Sequence, residues 1–396
     1  MLAKGSGQMA PAPSSASVTG TSQLGFFLSP LDTEVISPIS LSKWGPVRLK
    51  PHFFYRFSYG DGLQAQPGQS SKTAINEISP GVLFELSEHW TLDYTPVIRF
   101  YSNDRFRDGT DHSVTLIGAT TYRDWSLGLS QRFALSSEPL VETGGQTLQE
   151  TYSTAINGAY QINEKLSLEL GGNQNFRFLD QASAGGQPLT DSREWSTLDW
   201  VNYQFLPKAG FALGAGFGYN DLALGSDTTD EQLQARLNLG IGQKLTLSFN
   251  GGFEIRQFLD SSQPDLLNPI FGLSLQYQIF EVTGISLSAN RTVSSSFFQN
   301  QVTENTGFDL SLRQRLLGKF YLDLNGGYGV TSYQSSSTAL KVNREDRLTR
   351  YSVRLSRSFF KHANAAVFYN VSENSSRESS FNYSSSQVGF ELGYRF

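Results

Sequence analysis

From Phe320 onward the chain alternates. Phe320, Leu322, Leu324, Gly326, Tyr328 and Val330 fall on one face of an extended segment, and Tyr321, Asp323, Asn325, Gly327, Gly329 and Thr331 fall on the other. Successive side chains of a strand point to opposite faces, so this period of two predicts a strand with one apolar face and one polar or small face. The split recurs over Phe211, Leu213, Ala215, Phe217 and Tyr219, over Leu245, Leu247, Phe249, Gly251, Phe253 and Ile255, and over Phe271, Leu273, Leu275, Tyr277 and Ile279. Helical spacing fits none of these runs.

The connections between such runs differ in length. Short ones fall at Glu88–His89, Arg123–Asp124, Asn163–Glu164, Pro207–Lys208, Gln243–Lys244, Val282–Thr283, Gly318–Lys319 and Lys361–His362. They recur roughly every 35–45 residues, the span of one barrel hairpin and its outer loop. Longer polar stretches lie between them, at Asp104–Gly109, Ser136–Gln146, Asp180–Thr190, Asp260–Asp265 and Ser335–Asn343. The pattern predicts an all-β chain: a single transmembrane antiparallel up-and-down β-barrel with short periplasmic turns and longer extracellular loops. Counting gives about 18 strands, with about 16 as the nearest even alternative. The barrel is expected over 46–396, starting near Val47. Residues 1–45 read as a flexible leader or a periplasmic or lumen segment, with Leu31–Ile39 the part that would enter the lumen. A β-propeller has a similar repeat but needs about four shorter strands per period.

Composition agrees with a barrel. The 396 residues include 37 Gly, 29 Phe and 17 Tyr, and only 17% are charged. A mean hydropathy of −0.30 suits strands that show lipid only every second residue. No run approaches the roughly 20 apolar residues of a membrane-spanning helix. The absence of Cys excludes disulfides, Cys-ligated metals and thiol nucleophiles, and the net charge of −5 without a basic run points away from nucleic acid. Residues 1–25 lack the continuous apolar core of a secretory signal.

No catalytic or metal constellation is visible, and no cofactor is expected. His52, His89, His112 and His362 are scattered, without paired ligand spacing. Outer-membrane phospholipases carry Ser two positions from His on one strand face; here those positions hold Phe54, Thr91, Val114 and Asn364. Omptin-like proteases use paired carboxylates with an Asp–His dyad; Asp108, Asp111 and His112 form a small cluster in or beside an outer loop, yet Asp111 and His112 are adjacent and would face opposite ways on a strand. Solvated loop charge is the better reading of that cluster. Gly210, Gly214, Gly216 and Gly218 are separated by apolar residues and precede no helix, unlike a dinucleotide loop.

By alternation, Arg132, Arg236, Arg256, Arg313, Arg315, Arg350, Arg354 and Arg395 point inward, as do Glu169, Glu254, Asp309, Asp323 and Glu391. Such residues either set the charge of a pore or brace its wall as opposed pairs. The Arg excess predicts a weak anion preference. Trp90, Trp125, Phe280, Phe320, Phe359 and Phe360 flank the short turns, as an interfacial aromatic girdle would.

The last strand places Val388, Phe390, Leu392, Tyr394 and Phe396 on its apolar face and Gln387, Gly389, Glu391, Gly393 and Arg395 on the other. It resembles the closing strand of bacterial outer-membrane proteins, whose terminal Phe the barrel-assembly machinery reads. In length, Gly and aromatic content and periodicity, residues 47–396 resemble the β-barrel porins. That resemblance implies an outer-membrane location, a lipid bilayer and assembly machinery as partners, and passage of small hydrophilic solutes. The alternatives are a non-conducting structural or secretion-associated barrel, for example one serving exopolysaccharide export, and, on weaker grounds, a barrel enzyme.

Overall fold

The structure, a computed structural model, describes residues 42–44, 47–180, 183–184, 187–259, 261–337, 342–360 and 362–395. The alternating runs form long strands: β1 (Val47–Gln66), β2 (Gln69–Glu85), β3 (Trp90–Tyr101), β4 (Gly109–Tyr122), β5 (Trp125–Ser136) and β6 (Gln149–Gln161). They continue as β7 (Leu166–Leu179), β8 (Ser192–Leu206), β9 (Ala209–Leu222), β10 (Thr228–Ile241), β11 (Leu245–Phe258) and β12 (Leu266–Phe280). The remainder are β13 (Thr283–Ser295), β14 (Gln301–Leu316), β15 (Phe320–Ser335), β16 (Glu345–Phe359), β17 (Ala363–Ser376) and β18 (Tyr383–Arg395). Each pairs antiparallel with its sequence neighbours. β1 also pairs with β18, from His52 opposite Arg395 to Asp61 opposite Ser386. The sheet therefore closes on itself as an 18-strand barrel.

Closure satisfies every edge strand, which is what lets a sheet cross a bilayer. The outward face is apolar: Val201, Leu213, Leu233, Phe253, Leu267, Tyr351 and Val388 all lie on the exterior and are exposed. On β18, Val388, Phe390, Leu392 and Tyr394 face outward, and Phe390 packs with tilted rings across the closing seam on Tyr55 and Phe57, at centroid distances of 5.9 and 5.7 Å. Phe396 lies outside the described residues, as do Leu31–Ile39 and the rest of 1–41. Within the segment expected to precede the barrel, Ser42–Trp44 folds back on Val47–Leu49 of β1.

The short turns and both ends of the barrel lie at one rim, the turn end. The longer connections lie at the other, the loop end. The connections 102–108, 137–148, 180–191, 259–265 and 336–344 match the polar stretches expected from sequence. Four others, 67–68, 223–227, 296–300 and 377–382, lie outside the stretches expected from sequence, although 377–382 is as polar as those.

Inside, neighbouring strands approach closely where glycine leaves room. The Trp200 indole lies flat over Gly214, where an added Cβ would come within 2.6 Å of the ring. The Arg236 guanidinium covers the same indole at 4.4 Å.

Candidate functional site: the lumen and its loop end

The inward charges are arranged as opposed pairs. Arg354 reaches Glu391 at 3.1 Å and Asp323 at 3.5 Å, and Arg313 lies 3.7 Å from the same Asp323. Glu391 continues to Arg56 at 3.8 Å, and Arg56 to Glu77 at 3.9 Å. Glu77 then accepts from Arg99 at 2.7 Å, and Arg99 also binds Asp111 at 2.8 Å and Glu138 at 2.7 Å. This chain of charges crosses the closing seam from β14 through β18 and β1 to β4. It welds those strands through their side chains as well as through the ladder. On the opposite wall, Arg236 binds Glu169 at 2.6 Å and Asn202 at 2.7 Å. Arg256 binds Glu254 at 2.8 Å and lies 3.6 Å from Asp230. Arg350 binds Asp309 at 3.1 Å.

Arg132 is exposed to the lumen and forms no ion pair with a described residue. Arg315 sits at the turn end, where it donates to the Gly318 carbonyl at 2.8 Å. Arg395 lies there too, opposite His52 in the ladder. The aromatic set is placed at the same rim: Trp90, Trp125 and Phe320 open strands, Phe280 and Phe359 close them, and Phe360 occupies a turn.

Asp111 departs from the expectation of solvated loop charge. It is buried on β4 against Arg99, while adjacent His112 faces outward and stacks on Tyr94. Asp108 accepts the Tyr101 backbone N–H at 2.7 Å. One association was invisible in sequence: His52 lies 2.9 Å from the Thr95 hydroxyl, which donates to Asp93 at 2.7 Å. In that arrangement Asp93, not His52, takes the hydroxyl proton, so it is no nucleophile–base pair. Among the described residues no group of three His, Asp or Glu side chains converges on a metal-sized site.

The loop end holds what the sequence reading missed. Leu140, Leu189, Phe297, Phe298 and Phe381 form one buried apolar cluster, although they come from connections spread around the rim. Phe298 is 1% exposed and meets the Phe381 ring edge-on at 6.4 Å. Leu189 also pairs with Phe298 through the backbone. Apolar side chains on loops can escape water only by meeting each other, so the loops fold inward and converge. Their polar groups are satisfied across the rim. The Glu142 carboxylate accepts the Ser296 hydroxyl at 2.6 Å and the Phe297 N–H at 2.7 Å. Arg177 donates to the Ser296 carbonyl at 2.8 Å and covers the Phe297 ring at 3.9 Å. Arg344 pairs with Asp346 at 2.5 Å and lies 3.4 Å over the Phe381 ring. The Pro139–Leu140 and Gly145–Gln146 ladder that carries Glu142 turns through Gly144, at φ 70°. Few other residues hold that conformation without strain.

Two loop carboxyls sit in this water-poor environment. Burial pushes Glu138 up to about 7 from an ordinary 4.5, against the pull of Arg99. Burial also raises Glu142, opposed by the Ser296 hydroxyl, Arg177, the Phe297 N–H and Arg344. Beside Glu142, Asn305, Thr331, Tyr333, Asp346, Leu348 and Asn374 line a small pocket.

No protein-family model matches the sequence, and no curated protein does. Solved structures similar to the chain include OccK2 (OpdF) of Pseudomonas aeruginosa in complex with glucuronate, at 11% identity and a TM-score of 0.48, over 88% of this chain and 98% of that one. The siderophore receptor PirA of Pseudomonas aeruginosa overlaps at 9% identity and 0.46, over 88% and 80%. OccAB3 of Acinetobacter baumannii overlaps at 10% identity and 0.45, over 88% and 99%.

Proposed function

We propose that the chain is a bacterial outer-membrane channel for small hydrophilic solutes, held closed at its outer mouth by converging loops. The observation that carries this reading is the closed 18-strand wall, apolar outside and charged inside. A barrel of that size encloses an aqueous path unless something fills it. What fills it here is a set of loops joined to one another by side chains, and loops are the elements most easily displaced. The short turns are then periplasmic. Most lumen charges brace the wall as pairs, and Arg132 is left to bias the path weakly toward anions. Val388, Phe390, Leu392, Tyr394 and Phe396 serve as the assembly signal. Trp90, Trp125, Phe280, Phe320, Phe359 and Phe360 serve as interfacial anchors.

The buried loop cluster also favours a second reading, a non-conducting barrel that serves surface structure or secretion. Planar-bilayer recording separates the two. Reproducible current steps from the refolded chain, present at least as brief openings, support the channel. A folded, heat-modifiable barrel that stays silent at all voltages, and also after the loop cluster is weakened, supports the second reading.

A further inference from the structure

The short turns should be the most polar part of such a barrel, because they leave the bilayer. They are not. Ile162, Val282, Leu317 and Phe360 are large exposed apolar residues within four of the turns, and Tyr122, Leu206 and Ile241 close the strands that enter three others. Leu317 is 90% and Phe360 91% exposed. Both adopt left-handed backbone, at φ 50° and 46°. That conformation strains a residue with a Cβ and is normally given to Gly or Asn. Turn chemistry therefore gives no reason for Leu or Phe at these positions, and neither side chain is packed against the barrel.

Two further turns bend the strand rules to the same end. The ladder slips between Gln204 and Leu206 and again between Gln278 and Phe280. In both, the Gln side chain donates to the carbonyl two residues on, at 2.6 Å. A bulge breaks the alternation of faces, so Phe205 with Leu206, and Phe280 beyond Ile279, are exposed at the rim together with the apolar band. Charges of both signs accompany them: Arg123, Lys165, Lys208, Lys244 and Lys319 sit one to a turn, and Glu88, Asp124, Glu164 and Glu281 also lie in the turns. Lys208 and Lys244 each donate to a carbonyl at the next turn, Gly242 at 2.6 Å and Ile279 at 3.3 Å, and so stand over the rim.

We infer that these turns form a collar embedded in the lipid headgroup layer of the periplasmic leaflet, with apolar tips at the acyl boundary and basic groups on the phosphates. Exposed apolar tips beside charges of both signs fit a zwitterionic phospholipid surface. Geometry favours lipid over a protein partner. The collar runs around the barrel and is continuous with the lipid-facing band, whereas a docked protein would need a patch on one side or a face across the pore.

The inference rests on the membrane-channel reading, and one experiment tests the two separately. The chain has no Cys, so single environment-sensitive labels can be placed by Leu317→Cys and Phe360→Cys. Leu233→Cys, in the middle of the band, and Leu224→Cys, on a loop-end connection, serve as controls. The variants are refolded into phosphatidylcholine vesicles, and folding is checked by heat-modifiable mobility. Expected is strong quenching of both collar labels by lipid brominated near the headgroup, with weaker quenching by lipid brominated near the chain end. Iodide should quench them several-fold less than the Leu224→Cys label. Collar labels as open to iodide as the Leu224→Cys label, or only one of the two in lipid, overturn the inference and leave the rim to a protein partner. If the Leu233→Cys label also escapes brominated lipid, the membrane reading itself has failed.

Discussion

Phe298→Ala is the sharpest test of loop closure. The side chain is 1% exposed and its apolar neighbours Leu140, Leu189 and Phe381 all belong to other loop-end connections, not to the barrel wall. Truncating a buried Phe costs about 3–5 kcal/mol through lost burial and the cavity left behind. Because the lost contacts join loop to loop, that energy comes out of closure rather than strand pairing. At about 1.4 kcal/mol per tenfold, the closed-to-open ratio should fall by roughly a hundred- to a few-thousand-fold. In planar bilayers the variant should spend far more time in its open level than the parent. The temperature at which the folded band is lost in a heat-modifiability gel should barely move. An unchanged current record from a folded Phe298→Ala barrel would falsify the claim that this cluster closes the mouth. So would a parent barrel already open all the time.

Closure should also depend on pH. Glu138, at about 7 in the closed state and about 4.5 when released, takes up a proton on closing between those values. A raised carboxyl disfavours the closed state once it ionises, so closure should be tightest below pH 5 and weaken toward pH 8. Glu142 acts in the same direction. Open probability measured at pH 5 and pH 8 checks this, and Glu138→Gln should flatten the difference; more opening in acid would sink it. Arg354→Ala leaves Glu391 and Asp323 facing each other's charge without their shared partner. It should lower stability by about 1–3 kcal/mol, less than for a fully buried pair because the lumen is wet. A urea midpoint equal to the parent's would show that the belt of ion pairs contributes nothing. Arg132→Glu should move the reversal potential in a salt gradient toward cation preference, and no movement would remove Arg132 from the conduction path.

The barrel was legible in the sequence because its physics is local. A strand in a bilayer must alternate, so Phe320 to Thr331 displays its two faces with no knowledge of its neighbours, and the short turns mark the hairpin repeat. Register is not local. Nothing in the order of residues says that Arg313 and Arg354 both face Asp323, or that Glu391 bridges the closing seam to Arg56. The loop cluster was illegible for a stronger version of the same reason. Glu142 and Phe297 are 155 positions apart, and Arg344 reaches the Val141 carbonyl across 203. A signal did exist. Phe297-Phe298 interrupts a Ser-rich run with two adjacent apolar residues, and Pro139-Leu140-Val141 does so between polar neighbours. Apolar residues where a solvated loop needs none announce a contact, though not with what.

The distribution of ion pairs bears on how such a barrel could open at all. The belt from Arg313 through Glu391 and Arg56 to Arg99 lies on the strands, where Arg56, Arg99 and Arg354 each have two or more carboxylates and the geometry is fixed by the ladder. Opening cannot come from that wall without breaking several charge pairs at once. The loop end is held differently. Its apolar cluster is small, and its polar contacts run between connections, through Glu142 and Arg344 and through the Thr190 N–H to the Phe297 carbonyl and the Ser336 N–H to the Asn300 carbonyl. Arg99 is where the two systems meet, because it binds Glu77 and Asp111 on the wall and Glu138 on the loop. Protonating Glu138 relieves the desolvation of a buried charge, and its repulsion with those neighbouring carboxylates, while leaving Arg99 two partners on the wall. The loop can therefore be set or released without disturbing the strands, which is the separation of rigid frame from movable closure that a gated pore requires.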